Sequence, residues 1–306
     1  MNKNILGFYN KIILITAIIV ISFSCGNDKT KDASSSNITD AKSISSDEGR
    51  KYKRSGAGIM VEDISSSNTD PERYNKDNMI YKTGRSFIFD YTYKDKSGKQ
   101  FYFEVPDQSD MNNWRLIPFE KTNKNTIKQF RMVVQQGLEP YIDRDPNFNM
   151  SIVGVEFMMD NDFMEQKLLT LLVENEKNTW LTPPRNFLFE VLELSPYPFM
   201  LYPPDQRRPW RWDRKISDRW SKPNRLEWKG RLDVSYKYAH HGHKLMRTPL
   251  GEIRCYDIHA MAVVGDKQQV TKLDFIYNEE FGFISMDYLN IDSSTLLIKL
   301  AEVQEN

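Results

Sequence analysis

From Trp228 to Val303 the chain is a succession of apolar and aromatic runs, each closed by turn-forming residues. That rhythm leaves few folds open to it. The runs are Trp228–Tyr238, Lys244–Thr248, Glu252–Val264, Val270–Asn278, Phe283–Tyr288 and Thr295–Val303. Between them fall Gly242, then Pro249, Leu250 and Gly251, then Gly265 and Asp266, then Glu279 to Gly282, then Asn290 to Asp292. Short runs at this spacing with turn residues between them read as an antiparallel meander. Runs that are neighbours in sequence are then expected to be neighbours in the sheet. The 17 Phe, 15 Tyr and 6 Trp suit such strands, because aromatic rings fill a pleated, half-buried surface well.

The first half reads less uniformly. Phe87–Tyr93 and Gln100–Val105 form a hairpin across Ser97 and Gly98, and Trp114–Phe119 is extended but limited by Pro118. Ile127, Phe130, Val133 and Val134 follow helical spacing, with Thr126 as a cap and Gly137 as a stop. Ser151–Met158 is a strand. Asp162 with Glu165 resembles a capping box ahead of Leu168–Val173, although that run is equally a buried strand. Phe187–Leu194 reads as a strand leading into a proline-rich crossing at residues 196–204. The fold expected is mainly β (α+β): a curved antiparallel sheet or half-barrel with one or two short helices, spanning residues 79–306.

Residues 1–24 carry a different signal. Lys3 and Lys11 give a basic start, Ile12–Ile21 an apolar centre, and Ser22 to Ser24 lead into Cys25. A basic start, a short apolar run and a small residue at the cut describe a secretory signal, too short for a comfortable membrane span. A small residue directly before a cysteine resembles the lipobox, which implies cleavage ahead of Cys25 and acylation of its thiol, palmitate included. Residues 25–78 are polar and serine-rich, a composition that cannot bury enough apolar surface to offset ordering entropy, and are expected to form a disordered tether. Gly56–Val61 is its apolar patch and can dock on the domain. With Cys25 consumed, Cys255 has no partner and is expected to be a buried, inert thiol.

Two local patterns carry a family resemblance. Thr248-Pro249-Leu250-Gly251-Glu252-Ile253-Arg254-Cys255 resembles a strand entry in exported bacterial domains, and Phe281-Gly282-Phe283-Ile284 resembles their step into the penultimate strand. The order of these turns is similar to the LolA/LppX-like half-barrel and its DUF3108-type relatives, and to uncharacterised lipoproteins of Bacteroidota-type bacteria. The resemblance covers about residues 186–303. It implies a curved sheet whose concave face is apolar and accepts an acyl chain or a partner, and it carries over no catalytic residue.

Removing residues 1–24 leaves 40 basic against 42 acidic residues, a net charge of −2, which gives no electrostatic case for nucleic acid. His240, His241 and His243 sit at an expected hairpin tip. Imidazoles there can hold a metal, or simply decorate a solvated turn. Trp210, Trp212, Trp220 and Trp228 lie among Arg207, Arg208, Arg211, Arg214, Lys215 and Arg219. Such a cluster can stack on sugar rings, or fill the core and rim of the sheet. No nucleophile elbow, phosphate-cradling glycine loop or HExxH motif is present, and acidic pairs such as Glu190 with Glu193 stand isolated. No cofactor is expected and no catalytic residue is assigned. The reading that results is a lipid-anchored, non-enzymatic envelope protein, on the periplasmic or surface face of the outer membrane. Its β surface would bind an apolar ligand, a glycan or an envelope partner. The alternative is a surface hydrolase acting on glycan or peptide.

Overall fold

The computed structural model describes residues 52–55, 58–63, 75, 77–107, 113–137, 148–160, 168–204, 208–222, 225–266 and 268–305. All belong to one compact unit, Asp47–Asn306. Cys25 and the segment before it lie outside the described residues, as does most of the expected tether. The strands are β1 (Tyr52–Arg54), β2 (Met60–Glu62), β3 (Arg85–Lys94), β4 (Gln100–Glu104), β5 (Arg115–Pro118), β6 (Thr126–Ile127), β7 (Gln129–Val134), β8 (Ser151–Met158) and β9 (Leu168–Asn175). They continue as β10 (Asn178–Leu181), β11 (Phe199–Leu201), β12 (Trp210–Ile216), β13 (Leu232–Thr248), β14 (Gly251–Val264), β15 (Gln269–Asn278), β16 (Gly282–Leu289) and β17 (Thr295–Glu305).

Twelve strands form one continuous antiparallel path, β11-β10-β9-β8-β7-β3-β17-β16-β15-β14-β13-β12. The second half, β13 to β17, is the meander expected from sequence, and β7 to β11 form another that the sequence did not show. The join between the halves is not local: β3 lies between β17 and β7, with Phe89 opposite Leu300 on one side and Phe130 on the other. The last strand of the chain therefore pairs with an early one, and β4, with β5 and β6, hangs from β3 as a flap. β11 and β12 share no ladder, so the sheet is curved and not closed into a barrel.

Strand periodicity sets which face is inside. Leu232, Val234, Tyr236 and Tyr238 of β13, Ile258, Ala260, Ala262 and Val264 of β14, and Phe87, Phe89, Tyr91 and Tyr93 of β3 are buried at every second position. The same alternation corrects the helix expected near residue 130. Phe130, Met132 and Val134 are buried and Gln129, Arg131 and Val133 are half-buried, so this stretch is β7. The 3.6 spacing of Ile127, Phe130, Val133 and Val134 was coincidental; pairing with β3 and β8 decides the period. Leu168–Val173 lies in a strand as well. Phe187–Leu194, expected as a strand, is a 3₁₀ segment, and its Phe189 packs against Phe103, Phe130 and Phe157. The described helical elements are thus short 3₁₀ turns.

The sheet bends until its two ends meet. Trp180 of β10 and Trp212 of β12 have ring centroids 5.9 Å apart, and the Thr179 hydroxyl lies 3.1 Å from that of Tyr277 on β15. Thr271 donates to the Leu194 carbonyl at 2.9 Å. The concave face is consequently filled by its own side chains. The hairpin of β1 and β2 binds at the same place. The Met60 N–H donates to Asn178 Oδ1 at 2.8 Å, and Asn175 and Asn178 each donate to the Met60 carbonyl at 3.0 Å. Gly58 lies against Trp212, where an added Cβ would sit 3.4 Å from the Trp212 Cβ. Ile59 and Val61 are buried, so the described part of the apolar patch, residues 58–61, does dock, and residues 52–55 and 58–62 belong to the folded body.

One glycine has a requirement that sequence hinted at. Gly282, in the Phe281-Gly282-Phe283 step, has φ +74°, and a Cβ there would come within 2.3 Å of the Tyr81 hydroxyl oxygen. That hydroxyl accepts the Phe283 N–H at 3.1 Å, so the close approach is what ties β16 to residue 81.

Candidate functional site

The four tryptophans do not form one platform. Trp212 is buried, stacked on Tyr236 at 4.4 Å, and its indole N–H donates to the Tyr238 hydroxyl at 2.8 Å. Trp210 stacks on Tyr238 at 5.4 Å. Both close the junction between the ends of the sheet, which is the packing alternative for this cluster. The alternation of Trp210, Arg211 and Trp212 along β12 turns the rings in and leaves Arg211 exposed.

Behind them lies a buried ionic group that the sequence did not reveal. Glu193 of the 3₁₀ segment meets Arg185 Nη1 at 2.9 Å and Arg214 Nη2 at 2.9 Å. The two guanidiniums also donate to the Tyr197 hydroxyl and lie 5.5 and 5.4 Å from its ring centroid. Burial pushes the Tyr197 phenol above its ordinary range, with the two arginines pulling the other way. Glu193 and Glu190 were recognisable as an acidic pair. Their partners come from positions 185, 214 and 222, which no local pattern connects.

Trp220 and Trp228 have the other fate. Both are half-buried, and with Glu190, Lys222, Arg225 and Ile291 they line a crevice of about 20 Å³. Lys222 pairs with Glu190 at 3.1 Å, and Arg225 with Asp292 at 3.6 Å. The Trp228 indole nitrogen is buried and has no hydrogen-bond acceptor in the structure. A space of this size admits about one water-sized group, far below the several hundred Å³ that encloses a small-molecule ligand. The crevice is not the open apolar trough that the acyl-chain expectation calls for.

The histidines are not at a hairpin tip. β13 runs unbroken from Leu232 to Thr248, and the turn comes at Pro249 and Leu250. A bulge between His240 and Gly242 splits the three side chains. His240 and His243 pack with Tyr256, at 5.7 and 4.6 Å. His241 instead stacks on His259 at 3.8 Å, and His259 meets Asp274 at 2.8 Å and Asp257 at 3.6 Å. Among the described residues, no group of three or more His, Cys, Asp or Glu side chains is arranged to hold a metal ion. Cys255 is a free, buried thiol whose pKa burial pushes up to about 11, Lys244 opposing; that is the inert thiol expected.

No family model matches the chain, and no curated protein matches it. Solved structures similar to the chain include the following three. One is described as an exported protein with a YmcC-like fold from Bacteroides fragilis, at 9% identity and TM-score 0.39, over 74% of this chain and 98% of that one. A second is described as a lipoprotein from Parabacteroides distasonis, at 10% identity and TM-score 0.39, over 74% and 97%. The third is the hypothetical lipoprotein YmcC from Escherichia coli, at 9% identity and TM-score 0.31, over 75% and 91%.

Proposed function

We propose that this is a non-enzymatic, lipid-anchored protein of the cell envelope that binds a glycan on the surface over Trp220 and Trp228, with a single hydroxyl entering the crevice they line. The anchor reading rests on the segment leading to Cys25. The binding reading rests on one observation: the buried Trp228 N–H has no acceptor, beside a second half-buried indole and two charged pairs. An indole N–H without an acceptor is costly to bury. A sugar hydroxyl entering the crevice supplies that acceptor while its ring rests on an indole face. The charged rims, Lys222 with Glu190 and Arg225 with Asp292, can exchange their mutual contacts for hydroxyl groups.

The hydrolase alternative has less support. Sugar hydrolysis needs two carboxyls facing one cleft, one of them able to protonate the leaving oxygen. Glu190 and Glu193 are the carboxylates at this crevice, and both are engaged by cations.

Titration of the intrinsic fluorescence with neutral and uronic-acid oligosaccharides tests the binding reading. Saturable quenching in the parent should weaken about tenfold in Trp228→Phe, which keeps an aromatic ring and removes the donor, as expected for a hydrogen bond of ~1–1.5 kcal/mol. Trp220→Ala should lose binding while melting close to the parent. No quenching by any sugar, or unchanged affinity in Trp228→Phe, ends the glycan reading.

A further inference from the structure

The β13–β14 hairpin is much longer than the strands beside it. The ladder between β12 and β13 ends at Trp210 opposite Tyr238, and that between β14 and β15 ends at Tyr256 opposite Tyr277. Residues 243–255 therefore stand past both neighbours as a two-stranded ribbon about 20 Å long, at roughly 3.4 Å per residue. One face of the ribbon is held to the body, with Cys255 fully buried and Met246, Leu250 and Ile253 packed against the core, while the opposite face, carrying Leu245, Arg247, Glu252 and Arg254, is left to serve something outside the fold.

Its chemistry differs from the rest of the chain. Leu245 is 65% exposed, the largest such exposure among the described residues of the second half, and Met246, Leu250 and Ile253 are only half-buried. Between His243 and Arg254 there are three cations, Lys244, Arg247 and Arg254, against the single carboxylate of Glu252, in a chain that is otherwise slightly acidic. Lys244 reaches back to Asp257 at 2.8 Å, and Arg247 faces Glu252 loosely at 3.6 Å and is 93% exposed. The ribbon's free edge is ill suited to adding a protein strand. The bulge at His240 and Gly242 twists it, and Lys244 and Arg247 stand along it, which are the devices that blunt strand edges.

We propose that this ribbon is a membrane-contact arm whose tip docks on an anionic phospholipid surface. Leu245 enters the headgroup boundary, and Arg247 and Arg254, on the same face of the ribbon, lie against lipid phosphates. The proposal rests on the lipid-anchored reading above, because an anchor at Cys25 keeps the ribbon within reach of a membrane surface. A domain held at both Cys25 and the ribbon would lie against the membrane with a defined face outward.

Co-sedimentation with vesicles tests this on the chain from residue 25 carrying Cys25→Ser, so that acylation contributes nothing. The expected result is pelleting with phosphatidylcholine vesicles containing phosphatidylglycerol, little with phosphatidylcholine alone, and release by high salt. Arg247→Gln with Arg254→Gln should weaken binding roughly fivefold for each cation. Leu245→Glu should abolish it; the exposure of that side chain leaves folding intact, which a matching melting curve checks. Equal pelleting with both vesicle types, no pelleting with either, or unchanged binding in these variants overturns the proposal. Because Cys25 is replaced, such a failure is separate from failure of the anchor itself, which the intact mass of the wild-type chain from cells reports.

Discussion

Trp212 donates its indole N–H to the Tyr238 hydroxyl at 2.8 Å, and that hydroxyl donates in turn to the Tyr197 carbonyl at 2.9 Å. The relay joins β12, β13 and the crossing between the two ends of the sheet. Burial holds the Tyr238 phenol far above its ordinary range, so it stays a neutral donor at any physiological pH.

Breaking this relay should cost stability without any ligand present. Trp212→Ala removes a buried ring and should destabilise by about 3–5 kcal/mol in urea unfolding. Tyr238→Phe keeps the ring but strands the indole N–H and the Tyr197 carbonyl, for a cost of about 1–3 kcal/mol. If Trp212→Ala unfolds at the parent's midpoint, the junction between the sheet ends is not a packed core.

Glu193 supplies the negative charge held between Arg185 and Arg214. Its side chain is 8% exposed and those of the arginines 10% and 16%. Glu193→Gln preserves shape and leaves two guanidiniums without their anion, which should destabilise by about 3–5 kcal/mol. The loss should persist in high salt, since a buried pair is poorly screened. A cost that disappears with added salt would mean the group is solvated.

Asp287 stands directly opposite Asp274 on the outer face of the sheet. Desolvation and then the Asp274 charge raise its pKa, with Lys299 and Lys94 opposing. A carboxyl whose folded pKa is raised binds its proton more tightly when folded. Its favourable contribution is therefore present in acid and is lost as pH rises through the folded value. Asp287→Asn should accordingly stabilise the protein near neutral pH, by less than about 1 kcal/mol for one like-charge cross-strand pair. The advantage should vanish below about pH 4, where the parent carboxyl is protonated as well. Melting curves across that range check it; a variant less stable than the parent at neutral pH contradicts the sign.

Much of the strand inventory was legible because one face of each strand is buried and the other is not. Ser151–Met158, Val270–Asn278 and Glu252–Val264 fall within a residue of the observed strands. The failures share a cause. Residues 129–134 carry apolar side chains at both two-residue and three-to-four-residue spacings, and only pairing with β3 and β8 selects the former. The break expected at Gly242 is a bulge within β13, because the partner strand continues and the ladder re-forms one residue on. Trp210, Trp212, Trp220 and Trp228 look alike in sequence. They divide into junction and crevice because β12 lies at the end of a bent sheet and Trp220 and Trp228 lie beyond it.

By itself the sequence determined an antiparallel β protein, since alternation and turn residues act over a few neighbouring positions. Only the tertiary structure decided that the concave face would be filled and not open, that Arg185 and Arg214 would share Glu193, and that the histidines would part across a bulge. Those outcomes depend on how far twelve strands bend before their ends meet. That bend sums small twists and side-chain volumes along the whole sheet, and no short stretch of residues records it.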